Sequence, residues 1–536
     1  MDTIFYNGIV ITMDEMHPRA QAVAVKDGLV FAVGSNEEML ALKNDATQCV
    51  DLGGAALYPG MVDSHMHALN LGASRRGVML DGIKKRADVL AAIERKAAVT
   101  PKGMLIQARG FNQDLWDDPR LITRAELDQI APDHPVKMVR VCGHLVVANT
   151  RTIELVGVTR DTKVPDGGEM DFDQGFFSES ALSLINRDRV DEGVQVCKQL
   201  LLSVLNECAD SGLTGIYSDD LGTAGFSMHT VIAAYRELEA EGKMPLRVVQ
   251  QCNLGGDDEE LKEFLKAGYH YGQGSAMYRL GPRKAFADGS LGARTAWLNA
   301  PYADAPGVIG VPVFTQEELN TFALHSHQAG LPFIVHAIGD GAVDCVLNAI
   351  EYARRLMPET SHFRDGIVHC QITGQETLRR IIDMKVDVYA QPVFTEYDLH
   401  ICRDRVGAQL EKTSYNWKTL LDSGVCISSG SDCPVEPFAP AKNIYCAVTR
   451  KDFDGFPEGG WLPEQCLTVD EAVYCHTVMA ARTVGLESER GRVKKGLFAD
   501  FTIFPRDLSA IDPMEIQHQK PLMTVVGGKI RLCPGA

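Results

Sequence analysis

The chain contains 536 residues, of which 45% are hydrophobic and 23% are charged, and its formal net charge is -18. This composition is that of a large globular protein and excludes a chain dominated by disorder. The acidic balance argues against nucleic acid or an anionic membrane surface as a partner, because both attract positively charged surfaces. We therefore expect the partner to be a small-molecule substrate. Whether the chain forms a homo-oligomer stays open.

No signal for export or membrane insertion is apparent in the sequence. Residues 1–6 lack the basic start and the apolar core of a signal peptide. No run of about twenty apolar residues could span a bilayer. We therefore expect a cytoplasmic protein.

Short apolar runs bounded by turn signals predict β-strands at both ends of the chain. Asn7-Gly8 and Asp27-Gly28 are the turn signals of the first end. We expect residues 1–57 and 486–536 to pair into one small β-sandwich that is split in sequence. Its strands are predicted at residues 4–12, 22–34, 48–52, 499–504 and 523–532.

Between these ends, residues 58–485 alternate apolar strands with helices, which is the pattern of a parallel barrel. The predicted fold class is α/β, with a (β/α)8 TIM-like barrel and the β-sandwich at its flank. The first barrel strand ends near residue 67, and the next convincing strand begins at residue 213. A structureless loop of that length is improbable, so we predict a large insertion after the first strand, at about residues 74–205.

The insertion leaves the barrel at the end of a strand, which is where the catalytic groups of such barrels lie. We therefore expect it to cover the site and to supply substrate-binding residues. An internal, supporting role within the insertion is the alternative for each candidate. The candidates are Phe111, Trp116, His144 and Glu179.

The first barrel strand ends in a His-x-His pair, His65 and His67. Side chains two positions apart on a strand point to the same side, so both imidazoles can bind one metal ion. His325 and His327 have the same spacing, but residues 315–330 predict a helix. Two positions on a helix are separated by about 200° of rotation, so we expect that pair to diverge.

Three further apolar runs end in candidate ligands, which are His336, His369 and Asp432. In a parallel barrel these strand ends converge on one mouth, where metal and catalytic groups gather. A structural role is the alternative for each residue taken alone. Cys370 and Cys433 stand beside candidate ligands, but in a cysteine-dependent enzyme the four histidines would lack a purpose.

Lys284 lies between these strand ends, within residues 278–295. One interpretation is a barrel-wall cation paired with Asp288. The other interpretation is a carboxylated lysine. A buried lysine easily becomes neutral, and a neutral amine can add carbon dioxide. The resulting carbamate would bridge two divalent ions as a glutamate does.

With these residues assembled, the chain resembles the amidohydrolase superfamily, and within it the branch of N-substituted formamide deformylases. The resemblance extends over nearly the whole length. One departure is visible, because Cys142 stands where the branch usually has Asp before Gly-His. The segments that carry the resemblance are Asn7-Gly8, residues 59–67, 135–149, 284–295, 336–340, His369, residues 430–432 and Ala499-Asp500.

The resemblance implies a role for each candidate ligand. Lys284 would be the carboxylated bridge between two divalent ions, expected to be zinc, and a single ion is the alternative. Asp432 would be both a metal ligand and the catalytic proton shuttle. The remaining implied metal ligands are His65, His67, His336 and His369.

This ligand set predicts a metal-dependent hydrolase that uses metal-activated hydroxide. The bond cleaved would be a non-peptide carbon-nitrogen bond, as in an amide or an N-substituted formamide. Two alternatives stay open. One is a hydrolytic deaminase of an aminated heterocycle, and the other is a non-catalytic regulatory or binding homologue.

Overall fold

The computed structural model describes residues 1–141, 143, 145–165, 168–179, 181–185, 191–256 and 258–534. Contacts between residues divide the chain into two compact units. The first unit consists of Met1–Ala68, Leu201–Gly222 and Val231–Ala536, and the second consists of Leu69–Leu200 and Thr223–Thr230. Among the helices in the described ranges, none has both the length and the apolar character needed to cross a bilayer.

Eight parallel strands form the central sheet of the first unit, and each strand pairs with its neighbour in chain order. This is the topology of a (β/α)8 barrel, so the predicted fold class is confirmed. The strands Phe333–Ala337 and Gly366–His369 are apolar except for one histidine each, because both of their faces are buried. They are β1 (Met61–Met66), β2 (Leu213–Asp219), β3 (Arg247–Asn253), β4 (Tyr278–Phe286), β5 (Phe333–Ala337), β6 (Gly366–His369), β7 (Asp387–Ala390) and β8 (Ile427–Ser429).

Two backbone hydrogen bonds connect the loop after the last strand of this sheet to the end of its first strand. Asp432 N donates to His65 O at 2.7 Å, and His67 N donates to Cys433 O at 2.8 Å. The loop after β8 is therefore held against the end of β1, which places the residues of both segments at one mouth.

Helices alternate with the barrel strands along the chain. Gln316–Gln328 begins at a capping box formed by Thr315 and Glu318, as the polar first turn of this segment predicts. The α-helices between residues 191 and 484 are Val194–Asp210, Met228–Ala240, Glu259–Lys266, Gln316–Gln328, Asp340–Leu356, Gln375–Met384, Thr395–Asp398, Cys402–Glu411, Trp417–Asp422, Pro440–Thr449, Val469–Tyr474 and Ala480–Thr483.

The two ends of the chain meet in one sheet of the first unit, where Ala56–Pro59 pairs antiparallel with Phe501–Phe504. Phe5, Val23 and Phe501 belong to the apolar core shared by this sheet and a second one. One sheet contains Leu29–Gly34, Ala22–Lys26, Thr3–Tyr6 and Gln48–Asp51, next to the helix Asn36–Leu40, and the other contains Lys529–Leu532, Met523–Val526, Phe501–Phe504, Ala56–Pro59, Ile9–Ile11 and Arg19–Ala20.

The second unit spans most of the residues where an insertion is predicted, and it has a six-stranded sheet and an apolar core of its own. Its strands are Gly168–Asp171, Phe176–Glu179, Leu145–Ala148, Val136–Arg140, Ile106–Phe111 and Val78–Met79. Its helices are Ala68–Arg76, which starts at the last residue of the first unit, Arg86–Val99, Arg124–Ile130, Thr150–Leu155 and Leu182–Ile185.

Candidate metal centre

The interior of the barrel changes from apolar to polar toward the carboxyl ends of its strands. Tyr217, Val249, Ile334 and Tyr389, which come from four barrel strands, belong to one buried apolar cluster. Side chains alternate along a strand, so the residues two positions further on face the interior again. These residues are Asp219 on β2, Gln251 on β3, His336 on β5 and Gln391 just after β7.

His65, His67 and Asp432 form a compact group in this polar part of the barrel. Their ligand atoms all lie within 4.8 Å of one another. Asp432 Oδ1 is 3.0 Å from His67 Nε2 and 3.3 Å from His65 Nε2. Two imidazoles and a carboxylate at this spacing are a donor set that suits Zn²⁺ and similar divalent ions.

His336 and His369 lie beside this group. The ring centroids of His65 and His369 are 5.6 Å apart, and those of His336 and His369 are 4.4 Å apart. The structure thus brings together the four histidines predicted as ligands and Asp432, although they are distributed over residues 65–432.

The backbone is unusual at two of these positions. His369 and Asp432 adopt φ angles of 77° and 57°, in the left-handed region that residues with a Cβ atom rarely occupy. Such strained residues persist only where the surrounding structure imposes the conformation, and they cluster at functional sites. Asp63 contributes here, because its carboxylate accepts hydrogen bonds from the backbone N and the hydroxyl of Ser431.

Burial disfavours the charged form of every residue in the group, and contacts between the residues determine the direction in which each pKa shifts. Burial raises the pKa of Asp432, but its close contacts with His65 and His67 hold that pKa well below its usual range. Burial lowers the pKa of His67, but its hydrogen bond with Asp432 raises that pKa to about 9. Burial lowers the pKa of His65 and that of His369. Burial thus favours the neutral forms of His65 and His369, whereas the contact between His67 and Asp432 favours the charged form of both.

Lys284 is completely buried, and its Nζ lies 4.0 Å from Asp219 Oδ2. Burial lowers the pKa of Lys284 to about 8. The carboxylate found beside Lys284 is that of Asp219, whereas the Asp288 carboxylate accepts hydrogen bonds from the backbone N atoms of Trp297, Ile338 and Gly339. Lys284 Nζ thus lies beside Asp219, in the polar part of the barrel interior.

Each of the four imidazoles has one nitrogen within hydrogen-bond distance of an amide or backbone oxygen, and the other nitrogen of His65 and of His67 faces Asp432. His67 Nδ1 donates to Asp219 O at 3.0 Å, and His336 Nε2 donates to Gly289 O at 3.0 Å. Within the described residues, His65 Nε2 is buried without a hydrogen-bond partner. Ligation by one ring nitrogen while the other is held by an acceptor is the usual arrangement of metal-binding histidines. The residues present therefore fit a divalent cation.

The predicted substrate-binding residues fall in the second unit, where two of them occupy its core. Phe111 and Trp116 are 0% and 6% exposed, and their ring centroids are 5.7 Å apart. Their packing favours the internal, supporting alternative. Glu179 is exposed at the end of the strand Phe176–Glu179. His144 and Cys142 lie outside the described residues.

The sequence interpretation missed several polar residues of this region. Asp219 follows the predicted strand 213–218 directly, so it satisfies the same rule that selected His336 and His369. Both carboxylate oxygens of Asp219 are buried without a hydrogen-bond partner in the described part of the chain. Gln251 and Gln391 also interrupt or follow apolar strands. A search restricted to common metal ligands passes over such amides.

The sequence profile of the amidohydrolase family matches residues 48–531. The chain belongs to the amidohydrolase family. The resemblance found in the sequence is thereby confirmed, and the converging strand ends are the part of this amidohydrolase where its candidate ligands meet.

Three relatives extend over almost the whole amidohydrolase chain. It is 32% identical to the putative amidohydrolase YtcJ of Bacillus subtilis (strain 168) over 541 residues, or 99% of each chain. It is 27% identical to the N-substituted formamide deformylase of Arthrobacter pascens, over 99% of this chain and 98% of that one. A crystal structure of an uncharacterized metal-dependent hydrolase from Pyrococcus horikoshii OT3 superposes with a TM-score of 0.80 at 28% identity, covering 95% and 99% of the two chains.

Proposed function

We propose that this amidohydrolase cleaves a non-peptide carbon-nitrogen bond, as in an amide or an N-substituted formamide, with the help of a bound divalent cation. The observation that carries the proposal is the convergence of His65, His67 and Asp432, whose ligand atoms lie within 4.8 Å of one another. The relative named as an N-substituted formamide deformylase supports the choice of bond. Zinc is the first candidate for the cation, since imidazole and carboxylate are ligands it commonly takes.

The ligands are proposed to be the four histidines at the mouth together with Asp432. A carboxylated Lys284 is the proposed bridge if two ions bind, and a single ion held by His65, His67 and Asp432 is the alternative. The depressed pKa of Lys284 supports the bridge, because it increases the fraction of neutral amine that can add carbon dioxide.

Chemistry at this site needs an activated water, a polarised carbonyl and a proton carrier. When bound, a divalent cation lowers the pKa of its water toward about 7 and polarises the carbonyl oxygen. Asp432 takes the proton of the attacking water and returns it to the departing nitrogen, so one carboxylate acts first as a base and then as an acid. Burial of the surrounding imidazoles keeps bulk water from competing for these contacts.

The substrate is proposed to be a small molecule. A screen of formamides, linear amides, cyclic amides and aminated heterocycles tests this proposal. Protein treated with a chelator is compared with protein reloaded with Zn²⁺, Co²⁺ or Mn²⁺, and the released amine, formate and ammonia are measured. We expect amine release from amides or formamides that disappears with the chelator and returns with the metal.

Two results would contradict the proposal. Ammonia release from heterocycles alone would identify a deaminase. Fully loaded protein that hydrolyses none of the compounds but binds one tightly would identify a binding homologue. The state of Lys284 in the intact, active, loaded protein tests the bridge separately. ¹³C NMR of protein equilibrated with ¹³CO₂ should show a carbamate carbon, and an unmodified amine there would leave only the single-ion alternative.

A further inference from the structure

Two glutamine side chains hold two histidines of the centre in the same way. Gln251 Oε1 lies 2.6 Å from His65 Nδ1, and Gln391 Oε1 lies 2.7 Å from His369 Nδ1. Gln251 and Gln391 are 1% and 0% exposed. A buried amide is costly unless it is hydrogen-bonded, so its presence among apolar interior residues calls for an explanation.

The orientation of each amide is fixed by its second contact. Gln251 Nε2 donates to Ser64 O at 3.0 Å, and Gln391 Nε2 donates to Tyr389 O at 2.8 Å. A backbone carbonyl only accepts hydrogen bonds, so the amide nitrogen must face it and Oε1 must face the imidazole. The amide oxygen also only accepts, so Nδ1 of each histidine must carry the proton.

We propose that Gln251 and Gln391 are positioning residues that fix His65 and His369 in the Nδ1-protonated tautomer, with the Nε2 lone pair of each directed at the metal site. The inference rests on the metal centre of the proposed function. A neutral imidazole without such an acceptor exchanges between two tautomers, and the one protonated at Nε2 cannot ligate through that atom. Fixing the tautomer therefore strengthens metal binding without any contact with the metal.

The other two histidines of the centre are held by backbone carbonyls, those of Asp219 and Gly289. No substitution removes a backbone carbonyl. The glutamines are therefore the positions where the contribution of the acceptor can be measured directly.

The test measures the Zn²⁺ dissociation constant by competition with a chelator for Gln251→Leu and Gln391→Leu. Leucine has a similar size but lacks the acceptor, and we expect each substitution to weaken binding about 10-fold to 100-fold. Gln250→Leu is the matched control. Gln250 is fully buried and its Nε2 donates to Ser218 O and Gln251 O, yet neither contact involves a histidine. We expect this control to bind Zn²⁺ with an affinity close to that of the parent protein, because the ligands and their acceptors remain intact.

Gln251→Glu and Gln391→Glu provide the rescue. A glutamate keeps an oxygen that accepts from Nδ1 whether or not it is ionised, so we expect affinity close to that of the parent protein. Equal losses in the Leu and Glu variants, unchanged affinity in the Leu variants, or an equal loss in Gln250→Leu would each overturn the inference.

A second readout follows the tautomer itself in metal-free protein labelled with ¹⁵N at histidine. The parent protein is expected to show His65 and His369 protonated at Nδ1, and each Leu variant is expected to gain the Nε2-protonated form at the affected ring. Unchanged ring spectra would overturn the inference even if affinity fell.

Neither readout requires turnover, so the two proposals can fail separately. A parent protein that binds Zn²⁺ but cleaves no carbon-nitrogen bond contradicts the proposed function alone. Glutamine variants that bind Zn²⁺ like the parent contradict this inference alone. A parent protein that binds no divalent cation contradicts both.

Discussion

Two His-x-His segments of this chain have the same spacing, but one lies at the end of a β-strand and the other lies in a helix. His65 and His67 lie at the end of β1, with ring centroids 5.1 Å apart and both Nε2 atoms within 3.3 Å of one oxygen of Asp432. The extended backbone places both rings on the same side, and the loop after β8 brings the carboxylate to them.

His325 and His327 lie near the end of the helix Gln316–Gln328, where the turn of the backbone separates them. His325 Nδ1 is hydrogen-bonded to Asp258, whereas the completely buried His327 Nε2 is 3.0 Å from Asp365 Oδ1. The predicted divergence is confirmed. The spacing of two histidines therefore indicates a metal pair only together with the secondary structure that carries it.

The largest difference between the two pairs is expected in metal content. His65→Ala with His67→Ala should remove the bound cation and lower turnover about a thousandfold or more, because several kcal/mol of transition-state stabilisation depend on it. Elemental analysis and kinetics check this expectation, with His325→Ala/His327→Ala as the matched control. Full metal occupancy in His65→Ala/His67→Ala would show that this pair does not bind the cation and so does not differ from His325 and His327.

The substitution Asp432→Asn separates metal ligation from proton transfer in the group of His65, His67 and Asp432. The amide oxygen still ligates, but the side chain no longer takes up a proton, so turnover should fall about 10²-fold to 10⁴-fold while most of the metal remains. Metal content and turnover are measured on the same preparation. Turnover equal to that of the parent protein would contradict the assignment of Asp432 as proton carrier.

Removal of the metal should lower the thermal stability of the protein only when His65 and His67 are present to bind it. A cation at 100 times its dissociation constant stabilises the folded state by about 2.7 kcal/mol, so chelation should lower the melting temperature of the parent protein. The same shift is expected in His325→Ala/His327→Ala and no shift in His65→Ala/His67→Ala. Scanning calorimetry with and without chelator checks this, and a chelator effect that persists in the strand variant would locate the cation elsewhere.

The helix pair is expected to matter only for folding. His327→Ala leaves Asp365 without its imidazole partner inside the protein, so the free energy of unfolding should fall by about 1–3 kcal/mol. His325 is more exposed, and its replacement should cost at most about 1 kcal/mol. Denaturant titration measures both, and loss of metal in either variant would contradict the comparison.

The sequence was sufficient to predict the barrel and the convergence of its ligands, because both depend on local rules. Apolar strands that alternate with helices predict the parallel barrel, and parallel strands bring their carboxyl ends to one mouth. His336, His369 and Asp432 could therefore be placed near His65 without any measured distance.

Other parts of the site depend on contacts between distant segments, which no local pattern specifies. The acceptors for the imidazoles come from neighbouring strands or from backbone carbonyls, so Gln251 and Gln391 could not be recognised from their own surroundings in sequence. Phe111 and Trp116 illustrate the opposite difficulty. An aromatic residue near a strand end has the same local signature whether it faces a ligand or fills a core, and here both fill the core of the second unit.

The pairing of Ala56–Pro59 with Phe501–Phe504 has a consequence for how this protein is made. During synthesis at about 5–20 residues per second, the earlier strand waits on the order of half a minute or more for its partner to leave the ribosome. Throughout that interval a strand edge bearing unsatisfied backbone groups is available to other chains. Closure of the sandwich is thus a late event of biogenesis, and a nascent chain stalled before residue 501 would present an aggregation-prone edge to the cell's chaperones.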